Sequence, residues 1–386
     1  MTTLRFPDWP IHDHTEAAAL AGVLASGEWW MGGGNSPAVQ FERDFAAAHG
    51  VRRGITATNG THALELALRT LGIGPGDEVI IPAMTFVATA SAVFCVGARP
   101  VPVDVDPATW CLEPEAAERA VGPRTRAVIP VHFGGLVCDM DAIAGLCARH
   151  GLALVEDAAH AHGAERRGRR AGSFGTMAAF SFQNFKLMTC GEGGILLTDD
   201  DALAERAEMI ANCGRRRGDP SYDHAVLGSN FRLSAFQAAI LSAQLERLEV
   251  LAERRRANGA LLDEALRGTK PVVAQGDDAV GRHARYMYLL RTADRDGLVA
   301  HLAAMGVPAR PIYPCVQDTA LFREGEARHG VGDGFVPIPE TPAARMIARQ
   351  GLWLHHRVLL GDRDTTLAVA DAVDRKSTRL NSSHRT

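Results

Sequence analysis

Between residues 60 and 200 the apolar positions follow two alternating rhythms. Residues 61–71 carry apolar side chains at helical spacing, and a glycine-rich turn at 72–77 leads into a short apolar run at 78–81 that predicts a buried strand. A helix is expected over 86–96 with Thr85 as its N-cap, then a strand at 99–103, a helix at 113–121 and a strand at 127–131. A helix at 139–150 and a strand at 152–155 complete the series. Short apolar strands alternating with helices imply an α/β fold, with a mostly parallel central sheet sandwiched by helices. After residue 230 the rhythm changes. A long helical pattern at 234–256 aligns Phe236, Ile240, Leu241, Leu245 and Leu248 in one stripe, read as core rather than a partner surface. A strand-like run at 286–291, a helix at 295–305 and a second strand-like run at 308–312 predict a smaller C-terminal α+β domain.

The expected organisation is a large domain with an N-terminal arm over residues 1–250 and a small domain over 251–374. The polar segment 375–386 follows a helix ending near Val373, lacks apolar periodicity, and reads as a disordered or non-native appendage. A chain of 386 residues is long enough for two such cores. Its net charge of -4 offers no broad basic surplus, which argues against non-specific nucleic-acid binding. The arginine clusters at 166–170 and 215–217 read as solvated loops. Seven scattered cysteines, with no Cys-x-x-Cys, exclude a disulfide framework and a thiolate zinc site. No basic-then-apolar leader opens the chain, and the longest uncharged stretch, 83–98, falls short of the ~20 residues that span a bilayer. The expectation is a cytoplasmic protein with reduced thiols and no membrane contact.

Three segments carry chemistry. In the run Ser181-Phe-Gln-Asn-Phe-Lys-Leu-Met188 a lone lysine, Lys186, stands between apolar neighbours. An ammonium there is costly to bury unless it is neutral or condensed with an aldehyde, although alone it would read as a surface loop lysine. Asp157 follows an apolar strand at the carboxyl edge of the expected sheet, where open α/β sheets bind ligands. A buried carboxylate needs a cation, and a protonated pyridine nitrogen would serve; helix capping is the plainer alternative. Thr58-Asn-Gly-Thr-His62 opens a helix, so Gly60 and Thr61 are candidates to hold a phosphate, with capping by Thr58 or Asn59 the alternative. The histidines 132, 160, 162, 355 and 356 match no common zinc spacing, so no metal site is expected. The glycines at 72, 74 and 76 follow a helix and precede a strand, the wrong order for a dinucleotide turn.

Taken together, in this order and over nearly the whole chain, these segments resemble the fold-type I pyridoxal 5'-phosphate (PLP) enzymes of the DegT/DnrJ/EryC1/StrS aminotransferase family. Gly27-Glu-Trp-Trp-Met-Gly-Gly33, Glu156-Asp-Ala-Ala-His-Ala-His-Gly163, Gly228-Ser-Asn-Phe-Arg-Leu233 and Trp353-Leu-His-His-Arg-Val-Leu-Leu360 look closest to its 3-amino-5-hydroxybenzoate (AHBA) synthases and related enzymes of antibiotic pathways. The resemblance implies that Lys186 binds the cofactor covalently and later moves a proton. It also implies that Asp157 pairs with the pyridine nitrogen, Phe86 stacks on the ring, and His160 sits near its phenolic oxygen. Gly60, Thr61 and Ser181 would hold the phosphate, joined by Asn230 from a neighbouring subunit, so a homodimer with shared active sites is the smallest complete enzyme. Tyr313, His355 and His356 are substrate-side candidates. Phe185 departs from the benzoate synthases, which carry a small residue before the lysine.

The resemblance implies transfer of an amino group from glutamine or glutamate to a ketone on a sugar or cyclitol ring. An AHBA synthase-like dehydration through the same lysine is the alternative, and a non-catalytic PLP-binding regulator is a third. Family members with histidine at the lysine position act as sugar dehydratases, and Lys186 argues against that branch.

Overall fold

A computed structural model of the chain describes residues 3–31, 36–221, 223–269, 272–276, 280–329 and 334–383. Its centre is a seven-stranded sheet of β1 (Arg53–Ala57), β2 (Glu78–Pro82), β3 (Arg99–Val103), β4 (Thr125–Val128), β5 (Ala153–Asp157), β8 (Met177–Ser181) and β9 (Gly194–Thr198). The strand order is β1-β9-β8-β5-β4-β2-β3. The pairs β3–β2, β2–β4, β4–β5 and β5–β8 are parallel; β9 alone runs the other way, antiparallel to both β8 and β1. This reversal was not legible from the apolar pattern, because β9 is buried on both faces like its parallel neighbours.

Alternation along the strands sorts side chains to two cores. Ile80, Ala178 and Phe180 face one side, with Phe41 and Phe45 of α2 (Pro37–Ala48), Ile143 of α6 (Met140–His150) and Leu241 and Leu248 of α8 (Ala235–Ala265). Val79, Ile81, Met177 and Ala179 face the other, with Leu64 and Leu68 of α3 (Gly60–Thr70), Val93 of α4 (Ala88–Cys95) and Ile210 of α7 (Asp201–Ala211). The remaining helices of this part are α1 (His14–Ser26), packed on α8 through Val23, and α5 (Pro114–Arg119).

A second sheet orders β10 (Val273–Ala274), β12 (Met287–Arg291), β14 (Gly351–His355) and β13 (Ala309–Pro311), all antiparallel. Its Tyr288, Leu290, Leu352 and Leu354 pack with α9 (Arg295–Ala304), the Val369 face of α12 (Arg363–Ser383) and Leu262 of α8. Helix α11 (Pro342–Gln350) flanks it, whereas α10 (Ala320–His329) packs on α4 and β3 of the first sheet; β6 (Glu165–Arg166), β7 (Arg169–Arg170) and β11 (Gly281–Arg282) form a small third sheet.

Four expectations are revised. Residue 250 lies inside α8, which runs unbroken from the first core to the third, so the two expected domains share one helix. Thr85 caps no helix: α4 starts at Ala88 after Val87 without a side-chain cap, because the Thr85 hydroxyl is engaged by that of Thr89 at 2.9 Å. The polar tail is helical as far as Ser383, where it continues α12; residues 384–386 lie outside the described ones. The arginine clusters are not simply solvated, since Arg166 pairs with Asp139, Arg170 with Glu165 and Glu249, and Arg217 with Glu42.

Candidate active site

The carboxyl ends of β1, β2, β5 and β8 open into a cavity of about 680 Å³, closed by the loop 182–193, by Trp9 and by the second sheet. Its base is built on an alternation within β5. Glu156 and Asp157 are adjacent and both buried, but they point to opposite faces. Glu156 turns away and accepts the amides of Gly172, Phe174 and Gly175 at 2.7–2.8 Å, with His132 Nε2 at 2.9 Å. Burial alone would raise its pKa, yet His132 and these amides hold it below the ordinary value. It is a framework carboxylate.

Asp157 faces the cavity. Its Oδ2 accepts the Thr89 hydroxyl at 2.8 Å and its Oδ1 the Ala159 amide at 3.2 Å. Thr89 spends its one proton on the carboxylate, so the Thr85 hydroxyl must donate to Thr89 in a short relay. Burial pushes the Asp157 pKa up, against the pull of Thr89, Ala159 and the charge of Lys186. This is the carboxylate that lacks a cation.

Lys186 sits in the loop between β8 and β9, with its amide donating to Gln183 O at 2.8 Å. Its side chain is buried against the cavity, and Nζ lies 4.5 Å from the centre of the Tyr286 ring. Burial lowers its pKa to about 8, while Asp157 pulls the other way. His160 stacks on the same tyrosine at 4.3 Å and is kept neutral by burial and by the Lys186 charge; its Nδ1 has no partner among the described residues.

The phosphate candidates converge. Asn59 caps α3 through the His62 amide at 2.8 Å, which leaves the Gly60 and Thr61 amides without intrahelical acceptors. A Cβ on Gly60 would lie 2.6 Å from Ser181 Cβ, so only glycine lets the helix start close on the end of β8. Phe86 lines the cavity, 50% exposed, edge-on to Tyr313 at 5.6 Å. Tyr313 and His355 also line it, whereas His356 sits behind, its Nε2 donating to Phe185 O at 3.1 Å, and lies edge-on to Trp9. Asn230 is exposed, bridged to Asn212, and outside this cavity. Sequence reasoning missed Thr89, Tyr286 and Trp9. A hydroxyl in the otherwise apolar segment 86–96 was the signal for Thr89; Tyr286 read only as the start of a strand.

The sequence model of the DegT/DnrJ/EryC1/StrS aminotransferase family matches residues 10–374. The chain belongs to this family. It is 44% identical over 96% of its length to the 3-amino-5-hydroxybenzoate synthase of Amycolatopsis mediterranei, covering 98% of that protein. It is 38% identical to the L-glutamine:2-deoxy-scyllo-inosose aminotransferase of Micromonospora echinospora, over 96% of this chain and 94% of the other. The crystal structure of an AHBA synthase superposes with a TM-score of 0.91 at 41% identity, over 98% of this chain and all of that one. The architecture is therefore the α/β fold of type I PLP enzymes, and the family's aminotransferase chemistry implies pyridoxal 5'-phosphate. The residues present fit such a group: among the described residues the buried Lys186 has no ion-pair partner and the buried Asp157 no cation within ion-pair distance, and the Gly60 and Thr61 amides lie open where a Cβ on Gly60 would meet Ser181. Among the described residues no helix is long and apolar enough to cross a membrane.

Proposed function

We propose that this family member carries PLP on Lys186 and transfers an amino group from L-glutamine or L-glutamate to a ketone on a sugar or cyclitol-type ring, in antibiotic or other secondary metabolism. The observation that carries the reading is the pairing of Lys186 and Asp157, both buried at one cavity and neither matched by a fixed partner of opposite charge. When bound, the cofactor supplies an electron sink for the charge left as the donor loses its α-proton. Asp157, oriented by Thr89 and the Ala159 amide, would hold a proton on the ring nitrogen. Lys186 Nζ, with a pKa near 8, is partly deprotonated at neutral pH and can take a proton and return it. Gly60, Thr61 and Ser181 would hold the phosphate, Phe86 and His160 would flank the ring, and Tyr313 and His355 would face the substrate. Asn230, exposed in the single chain, would complete the phosphate site of a second copy, which together with the exposed Trp29, Trp30 and Leu227 supports a homodimer.

The test is the visible absorbance of the PLP-loaded protein on addition of each donor. Conversion to the pyridoxamine form supports transamination; full turnover by Lys186→Ala would sink the assignment. The likeness to 3-amino-5-hydroxybenzoate synthase favours a second reading, loss of water from an aminated ring ketone at the same lysine. Release of an aromatic product without any amino donor identifies that reaction.

A further inference from the structure

One wall of the cavity carries arginines that, among the described residues, have no acid within ion-pair distance. In β14 the leucines 352 and 354 enter the third core, so Trp353 and His355 face the cavity. Arg310 of β13 stands opposite Trp353 in the ladder and shares that face. Arg357 follows the strand, its amide donating to His355 Nδ1 at 3.1 Å, and its Nε is buried without a partner among the described residues. Behind Trp9, which also lines the cavity, the guanidinium of Arg255 lies 5.2 Å over the indole, fully buried, with none of its three nitrogens hydrogen-bonded among the described residues.

Several other buried or half-buried guanidinium groups are matched by acids. Arg99 is held by Glu78 and Glu326, Arg217 by Glu42 and Arg285 by Asp263. Among the described residues no Asp or Glu comes within ion-pair distance of Arg310, Arg357 or Arg255. Of the acids that line the cavity, Asp157 is already engaged by Thr89 and the Ala159 amide, and Glu192 stands on the glycine-rich turn. His355 does not add to the charge: burial, then Arg357, Arg255 and Arg310, lowers its pKa to about 4. Arg255 is withdrawn from water and Arg357 partly so, while Arg310 is exposed on the cavity wall; a buried guanidinium without a partner is costly, and a carboxylate relieves that cost through paired, charge-assisted hydrogen bonds. A neutral polyol would leave it in place.

We propose that Arg310 and Arg357, backed by Arg255 through Trp9, form a carboxylate-recognition site for the substrate; this rests on the aminotransferase reading of the cavity. The carboxylate is carried either by the ring acceptor or by the amino donor. The PLP-loaded protein is titrated calorimetrically with 3-hydroxybenzoate, with neutral 3-hydroxybenzyl alcohol and with glutarate. The wild type should prefer at least one acid over the alcohol. Arg310→Gln and Arg357→Gln should each weaken that acid by about ten- to a hundredfold and leave the alcohol unchanged. Arg357→Lys should recover part of the loss. Weakening of 3-hydroxybenzoate alone places the carboxylate on the ring, of glutarate alone on the donor, and of both on a shared seat. No preference for either acid in the wild type, or equal loss of acids and alcohol in the variants, overturns the proposal. Retention of the visible band and of the melting temperature shows that the variants still fold and load. A wild type that never takes up the cofactor refutes the aminotransferase reading instead, and the same titrations on the cofactor-free chain still decide the carboxylate site.

Discussion

At the residue scale, the site depends on small differences between chemically similar neighbours. Glu156 and Asp157 are adjacent acids, and strand alternation, fixed by where β5 sits, separates the framework acid from the cavity acid. Thr89→Val removes the hydroxyl from Asp157 and leaves the buried carboxylate one donor short. It should lower kcat/KM about tenfold and raise the pKa of Asp157 further, read from the pH–rate profile. Lys186 makes a stability prediction for the cofactor-free chain. Its folded pKa, about 8, is depressed from the ordinary 10.5. Between these values the unfolded chain binds the proton and the folded chain does not, so stability rises as pH increases through that window. The gain at high pH is on the order of 3 kcal/mol relative to pH 7. Comparing denaturant midpoints of the wild type and Lys186→Met across pH 7–11 should show this rise in the wild type relative to the variant.

At the element scale, the strands and helices that fill the interior were readable, and those defined by partners were not. The strand Arg99–Val103 and the helix Met140–His150 match the apolar runs almost to the residue, because burial is what those patterns encode. The direction of β9 is set by the loop that returns from β8, which carries no periodic signal. The length of α8 escaped because its buried face carries Ala252, Arg255 and Gly259 between Leu248 and Leu262, so the apolar signal lapses where the helix passes from one core to the next. Thr85 looked like a cap because hydroxyls before helices usually are; its bond to Thr89 is a tertiary choice. The phosphate turn was legible as a helix start, but its closeness to Ser181 was not. Gly60→Ala should push α3 from β8 and weaken cofactor binding about tenfold or more, with little change in far-ultraviolet circular dichroism, as a fluorescence titration with PLP will show.

For the whole molecule, the exposed Asn230 and the exposed tryptophans at 29 and 30 bear on the proposed assembly. If Asn230 serves the neighbouring site, Asn230→Asp and Lys186→Ala carry their defects in different active sites of a mixed dimer. Unfolding and refolding the two inactive variants together should restore roughly a quarter of the wild-type activity, the statistical share of intact sites. No recovery on mixing would confine each site to one chain.

The cavity is bounded by stretches of chain that lie far apart in sequence. The lysine, the aspartate and the phosphate turn all fall between residues 59 and 192, whereas the arginine-bearing face comes from β13 and β14. Among the described residues Arg310 and Arg357 make no hydrogen bond or ion pair with Lys186, Asp157 or Gly60, so substitutions at these two arginines leave the anchoring groups in place. A lineage could therefore exchange its choice of ring while keeping its reaction, and a graft of the 286–357 segment between relatives is the natural unit in which to redesign it.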